Sequence, residues 1–243
     1  GSVPDDNPTI AGVRSHVYAL GLRNPQGLAF GPGGRLYASD HGPGTDDELN
    51  LVQAGRNYGW PRVAGFKDDR AYVYANWSAS SPTPCTALTF DNLRPPPSVP
   101  QLKESDWNDP NFAAPLATLF TVPAGYDTGA SGNATVGPAG IDVYTAPAIP
   151  GWANSILLTG MTTGTVYRFR LGRKGTSVEG PPIEYFRAAN RYRDVAISPD
   201  GRRIYLATDS TGSVVDPSGH RTDVLSDPGA ILEHTYVPEV GGR

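Results

Sequence analysis

Apolar residues along the chain fall into short runs, and each run stops at glycine, proline or aspartate instead of continuing at helical period. The clearest case is QGLAFGPGGRLYASD (Gln26–Asp40). Leu28-Ala29-Phe30 leads into Gly31-Pro32-Gly33-Gly34, and Leu36-Tyr37-Ala38 follows. RDVAISPDGRRIYLATD (Arg193–Asp209) repeats that layout with Val195-Ala196-Ile197, Pro199-Asp200-Gly201 and Ile204-Tyr205-Leu206. Proline fixes φ at the first corner of a tight turn and glycine supplies the positive φ after it, so both segments predict β-hairpins. A weaker copy begins at GPAGIDVY (Gly137–Tyr144) and continues through Ile156-Leu157-Leu158. No stretch keeps a helical period beyond a turn or two, and the fold expected is all-β.

Hairpins repeated with one turn chemistry predict a β-propeller, whose blades are small antiparallel sheets packed around an axis. About three blades can be read, whereas a closed ring takes about four to eight. Residues 1–243 therefore read as a single region of a larger ring. Either it is an open half that pairs with another chain or, the favoured expectation, a preceding segment is missing. Residues 79–115, which include Pro95-Pro96-Pro97, read as an elaborated loop inserted between the copies.

Composition supports this picture and excludes others. The 29 glycines and 24 prolines are spread as punctuation between apolar runs, as many short strands require. A net charge of −4, with no long basic run, argues against a nucleic-acid surface. No apolar stretch nears the ~18–20 residues that cross a bilayer. The one cysteine, Cys85, cannot form an internal disulfide, which leaves the redox compartment open.

Charge placement changes the picture more. SDHGPGTDDELNLVQAGRNYGWP (Ser39–Pro61) crowds Asp40, Asp46, Asp47 and Glu48 around a Gly-Pro-Gly turn. Calcium takes ~6–8 hard oxygen ligands, and Asp47, Glu48, Asp68, Asp69 and Glu104 supply negative charge for it. Gly42-Pro43 offers something else, two successive carbonyl oxygens that a bend can aim at one point. The spacing is not that of an EF-hand. Solvated turn acids are the alternative, and the residues alone leave it open. Arg191 and Arg193, in NRYRD, share one face of a strand, while Arg23-Asn24 stands just ahead of the equivalent hairpin. A guanidinium suits two-pronged carboxylate recognition; the alternative is solvated arginines paired with nearby acids.

Together GLRNPQGLAF, DHGPGTDDELNLV, NYGWPRVAGFKDD, KESDW and NRYRDVAISPDG, with TDSTGSV and PGAILEHTY, run through nearly the whole chain. They resemble the C-terminal half of the soluble quinoprotein glucose dehydrogenases and related aldose sugar dehydrogenases. The resemblance implies a six-bladed propeller that holds pyrroloquinoline quinone (PQQ) and calcium and oxidises aldoses to lactones. It implies that Gly42 and Pro43 ligate the cofactor's calcium through their carbonyls. It implies that Asn24, Thr135, Arg191 and Arg193 hold the cofactor, and that Arg23 faces the reactive quinone carbonyl, where it stabilises developing negative charge. A second, structural calcium is implied at Glu48, Tyr58, Ala64, Phe66, Asp68 and Glu104, with Tyr58, Ala64 and Phe66 contributing backbone oxygens. Implied partners are an aldose sugar, an external electron acceptor and the N-terminal half of the same propeller. A homodimer and a periplasmic or secreted location are further expectations.

The chain also departs from that pattern. Thr162 stands where the glucose dehydrogenases carry a cofactor-binding lysine, and the small polar segment Asp127–Gly137 replaces an aromatic cover loop. His41 replaces a glutamine, as on the aldose-dehydrogenase side of the family, and is expected to be a polar loop group rather than a base. The family's general base, a histidine with a carboxylate partner, belongs to the N-terminal half; His16, His220 and His234 match no such motif. These 243 residues alone are therefore expected to be inactive. Two other readings compete. One is a calcium-dependent propeller lactonase, which would place carboxylates and an asparagine on its metal. The other is a non-catalytic propeller binding module. A shift in PQQ absorbance separates the first from a quinoprotein, and calorimetric titration with PQQ separates the second.

Overall fold

A computed structural model describes residues 2–10, 12–70, 72–80, 90, 93–127 and 134–238. Residues 81–89, which include Cys85, residues 91–92 and positions 128–133 of the polar segment lie outside the described residues. The secondary structure is mostly strand, as expected. The helical elements are short 3-10 turns such as Pro32–Gly34, Trp77–Ser80 and Glu104–Asp106.

The short strands β1 (Thr9–Ile10) and β2 (Val13–Arg14) form a hairpin near the N-terminus. The first repeat supplies β3 (Pro25–Gly31) and β4 (Arg35–Asp40). They belong with β5 (Asp47–Val52) and β8 (Ala117–Leu119) to a sheet ordered β3-β4-β5-β8. Between the last two, β6 (Tyr74–Ala75) pairs with β7 (Gln101–Leu102). A second sheet runs β12-β11-β10-β9, from β9 (Pro138–Tyr144), β10 (Ser155–Gly160), β11 (Thr165–Arg170) and β12 (Ile183–Tyr185). A third is ordered β13-β14-β17, from β13 (Tyr192–Ile197), β14 (Arg203–Thr208) and β17 (Ile231–Thr235). The hairpin β15 (Val214–Val215) and β16 (Arg221–Thr222) lies in the connection before β17. Each sequence repeat thus marks the first hairpin of a larger antiparallel sheet. The predicted turn glycines Gly33 and Gly34 (both φ 73°) and Gly201 (φ 72°) have the left-handed geometry expected of them.

The chain groups into two compact units, residues 1–25 with 40–135 and residues 26–39 with 136–243. In the second unit the leading strands β3, β9 and β13 pack backbone to backbone, and glycine makes this possible. A Cβ on Gly27 would sit 2.6 Å from the Ala139 carbonyl, and one on Gly140 would sit 2.7 Å from Asp194 Cα. Further out, Tyr144, Trp152, Leu157, Val166, Tyr192, Val195, Ile204 and Leu206 form a continuous core between the second and third sheets. In the first unit the 79–115 insertion is more than surface elaboration. It sends β7 to pair with β6 and carries Glu104, whose side chain is fully buried (0% exposed).

Candidate functional site

The loop from Asp40 to Asp47 is shaped by its own side chains. Gly42 is obligatory there, because a Cβ would lie 1.8 Å from the Thr45 carbonyl. Asp47, fully buried at the start of β5, accepts the Gly42 N–H at 3.0 Å with Oδ1 and the Thr135 hydroxyl at 2.6 Å with Oδ2. His41 Nδ1 lies 3.4 Å from Asp47 Oδ1 and 3.3 Å from the Gly42 carbonyl. The Ala134 N–H donates to the Gly44 carbonyl at 2.7 Å, fixing Thr135 beside the bend. Asp47, expected as a source of charge for calcium, also braces the bend through its bonds to Gly42 and Thr135.

Asp40 does similar work on the other flank. Its buried carboxylate accepts the backbone N–H of Arg23 at 2.8 Å and of Asn24 at 2.6 Å, and the Asn24 carbonyl accepts the His41 N–H at 3.2 Å. Burial raises the Asp40 pKa, against the pull of those N–H groups. The result is an open cleft of about 220 Å³ lined by Arg23, Asn24, His41, Gly42, Pro43, Gly44 and Thr135. Five residues singled out in the sequence for the cofactor, Arg23, Asn24, Gly42, Pro43 and Thr135, meet here. The exposed Arg23 guanidinium donates to the His41 carbonyl at 3.0 Å and lies over Trp60, 5.2 Å from the ring centroid. Among the described residues no carboxylate pairs with it.

Behind the loop sits the second predicted group. Buried Glu48 accepts the Gly65 N–H at 2.7 Å and the Asn50 amide at 2.8 Å. Glu104 accepts the N–H groups of Ala64 at 2.8 Å and Asp69 at 3.1 Å. Asp68 is half-buried and takes the Arg70 N–H at 3.0 Å, and the Phe66 carbonyl accepts from the Asp68 N–H at 2.8 Å. Tyr58 is buried with its hydroxyl donating to the Leu51 carbonyl at 2.5 Å. Asp69 is an exposed turn residue that caps Ser105. Burial, reinforced by the Asp40 and Asp46 charges, pushes the Glu48 pKa up to about 8. Burial with the Asp46 and Asp68 charges takes Glu104 to about 8 as well. Asp46, the acid that sequence reasoning left without a role, is 2% exposed, is pushed up to about 6 by burial, and has Oδ1 with no hydrogen-bond partner among the described residues. None of Asp46, Glu48 and Glu104 makes an ion pair among the described residues. Nor do three or more His, Cys, Asp or Glu side chains gather there in a metal-binding arrangement.

Arg191 and Arg193 lie in the second unit at the start of β13, around Asp209. Arg191 Nε reaches Asp209 Oδ2 at 3.2 Å and its Nη1 donates to the Ser213 carbonyl at 2.6 Å. Arg193 grips the same carboxylate with two hydrogen bonds of 2.8 Å. The arginine pair is real, and it is organised by an acid that the spacing alone did not reveal. Asp209 follows β14 as Asp40 ends β4, so an aspartate stands behind the cationic residues in both repeats. Thr162 is held by backbone bonds to Val136 and Val215. His220 sits in an exposed turn with Asp216 and Ser218, and His16 is exposed. His234, on β17, has a buried Nε2 without a hydrogen-bond partner among the described residues and a pKa lowered by burial.

Known proteins resemble the chain along most of its length. The Glucose / Sorbosone dehydrogenase family profile matches residues 1–84 and 124–216. Quinoprotein glucose dehydrogenase B of Acinetobacter calcoaceticus is 42% identical over 246 residues, covering 97% of this chain and 52% of that protein. The apo-form structure of the soluble aldose sugar dehydrogenase of Escherichia coli aligns with a TM-score of 0.55 at 25% identity, over 85% of this chain and 48% of that one. A PQQ-bound aldose sugar dehydrogenase from Streptomyces coelicolor shares the fold, with a TM-score of 0.56 at 24% identity over 95% of this chain and 48% of that one. The chain thus spans about half the length of these relatives. On the profile match and the agreement along nearly its whole length, the chain belongs to the glucose/sorbosone dehydrogenase family.

Proposed function

We propose that this chain is the cofactor-holding part of a PQQ-dependent dehydrogenase that oxidises an aldose sugar to its lactone. In this reading it contributes about three blades to a six-bladed ring, and the rest of the parent polypeptide supplies the others together with the general base. Export to the periplasm or beyond the cell is part of the same proposal. The observation that carries it is the cleft in which Arg23, Asn24 and Thr135 share walls with the Gly42-Pro43 bend.

The residues present fit the cofactor and its cation. Gly42 and Pro43 would offer carbonyl oxygens, a donor type calcium accepts readily. Asp47 braces their bend through the Gly42 N–H. Glu48 and Glu104, with Asp68 and the carbonyls of Tyr58, Ala64 and Phe66, would hold the structural calcium. Support comes from two buried carboxyls with no cationic partner among the described residues and from the orphan oxygen of Asp46. Such groups are costly to bury unless paired.

When bound, PQQ supplies the carbonyl that accepts two electrons and the anomeric hydrogen as hydride. The chain's own part is positional and electrostatic. Arg23 places a permanent positive charge on the cleft wall, where negative charge grows as oxidation proceeds. Asn24 and Thr135 orient polar edges of the ligand. The test is sugar-dependent dye reduction by the intact polypeptide supplied with PQQ and calcium. Turnover is expected there and is expected to be absent from the isolated 243-residue chain. No turnover in the intact protein with a range of aldoses would overturn the proposal.

A further inference from the structure

Arg23 is held by more than its backbone clamp. The segment before it lies along Arg56–Trp60. The Leu20 N–H donates to the Arg56 carbonyl, the Tyr58 N–H to the Leu20 carbonyl and the Trp60 N–H to the Gly21 carbonyl, all at 2.9 Å. Gly21 permits this closeness, with φ of 76° and a Cβ position only 2.6 Å from the Gly59 nitrogen. Trp60 is half-buried and backed by Tyr72, ring centroids 5.5 Å apart. Its ring lies under the Arg23 guanidinium at 5.2 Å and lines, with Arg23, Asp40 and Gly42-Pro43, a small cavity beside the cleft. Among the described residues Arg23 has one hydrogen bond from its side chain, to the His41 carbonyl. An arginine side chain carries much rotamer freedom, and the ring face adds a second contact that restricts it.

From this we infer that Trp60 is a positioning residue: its π face holds the Arg23 guanidinium over the cofactor cleft. The inference rests on the proposed quinoprotein function and adds to it a residue that acts through Arg23. A tryptophan face attracts a guanidinium electrostatically and also stacks with its plane. A residue that merely filled space would be replaceable by an aliphatic one of similar reach.

The test uses the intact protein with calcium, comparing Trp60→Phe and Trp60→Met, each also in an Arg23→Met background. The readouts are the PQQ dissociation constant from absorbance titration, and kcat and KM for the sugar. Trp60→Met is expected to weaken PQQ binding about three- to thirtyfold, the span from a surface to a desolvated cation–π pair. It should lower kcat while leaving KM for the sugar nearly unchanged. Trp60→Phe, which keeps a π face, should recover most of both losses. With methionine at position 23 neither Trp60 change should add a further effect. Equal losses in Trp60→Phe and Trp60→Met, or a loss that persists in Arg23→Met, would overturn the inference alone. Should Trp60→Met not fold, the Trp60→Phe loss is read the same way, present with arginine at 23 and absent without it. A wild-type protein that binds no PQQ would overturn the functional reading and this inference with it.

Discussion

Glu104→Gln should reverse sign with calcium. In the cation-free protein the Glu104 carboxyl is fully buried with its pKa raised to about 8, so near neutral pH it keeps its proton. A carboxyl raised in this way contributes its stability in full below its ordinary value of 4.5 and loses it as pH climbs toward 8. Carrying it to pH 7 costs about 3 kcal/mol at 1.36 kcal/mol per unit, and Glu48 adds a cost of the same sign. Glutamine removes that cost but has one acceptor oxygen for the two N–H groups of Ala64 and Asp69, a loss of about 1–3 kcal/mol. In chelator at pH 7 the variant should therefore match the wild type or exceed it by up to about 2 kcal/mol. With calcium at a hundredfold excess over Kd the wild type gains about 2.7 kcal/mol. That is about 5–10 °C in melting temperature for a chain of this size, and the variant should lose most of the gain. Thermal melts of both proteins, with chelator and with calcium, between pH 5 and 8 read all of this. In chelator the wild-type midpoint should fall as pH rises, and calcium should flatten that slope. A variant destabilised equally in both conditions would refute the reasoning, as would a cation-free wild type that grows more stable toward pH 8.

Three further outcomes follow from the same geometry. Asp47→Ala removes the acceptor of both the Gly42 N–H and the Thr135 hydroxyl; PQQ affinity should fall at least tenfold, about 1.4 kcal/mol, as read by calorimetry. Asp209→Ala leaves Arg191 and Arg193 without their shared anchor, and loss of this charge-assisted pair should cost about 1.5–3 kcal/mol of stability in denaturant melts. Gly27→Ala presses a methyl against the Ala139 carbonyl and should destabilise by about 1–3 kcal/mol, with the cofactor affinity of the folded fraction unchanged.

Much of the fold could be read from the chain because it rests on local rules. Proline and glycine at hairpin corners fix the turns wherever they occur, and the three copies found in this way open the three larger sheets. What could not be read depends on packing between segments distant in sequence. Nothing near Gly27 or Gly140 announces that each lies against another strand's backbone. Within the site, Gly42-Pro43 and Arg23 stood out because each has an unusual backbone or charge of its own. The bracing roles of Asp40, Asp47 and Asp209 did not, since an aspartate that braces a backbone N–H or an arginine looks like any solvated turn acid until its partner is known. Glu104 stood out in the sequence only as one more source of negative charge; its depth within an insertion that reads as a surface loop had no local signal.

Titration of the intact protein with PQQ, with and without calcium and followed by absorbance, tests the central claim most directly. The account predicts saturable, calcium-dependent binding of one PQQ per chain, lost or weakened at least tenfold by Arg23→Met. Binding indifferent to both calcium and Arg23, or no binding at all, would contradict it.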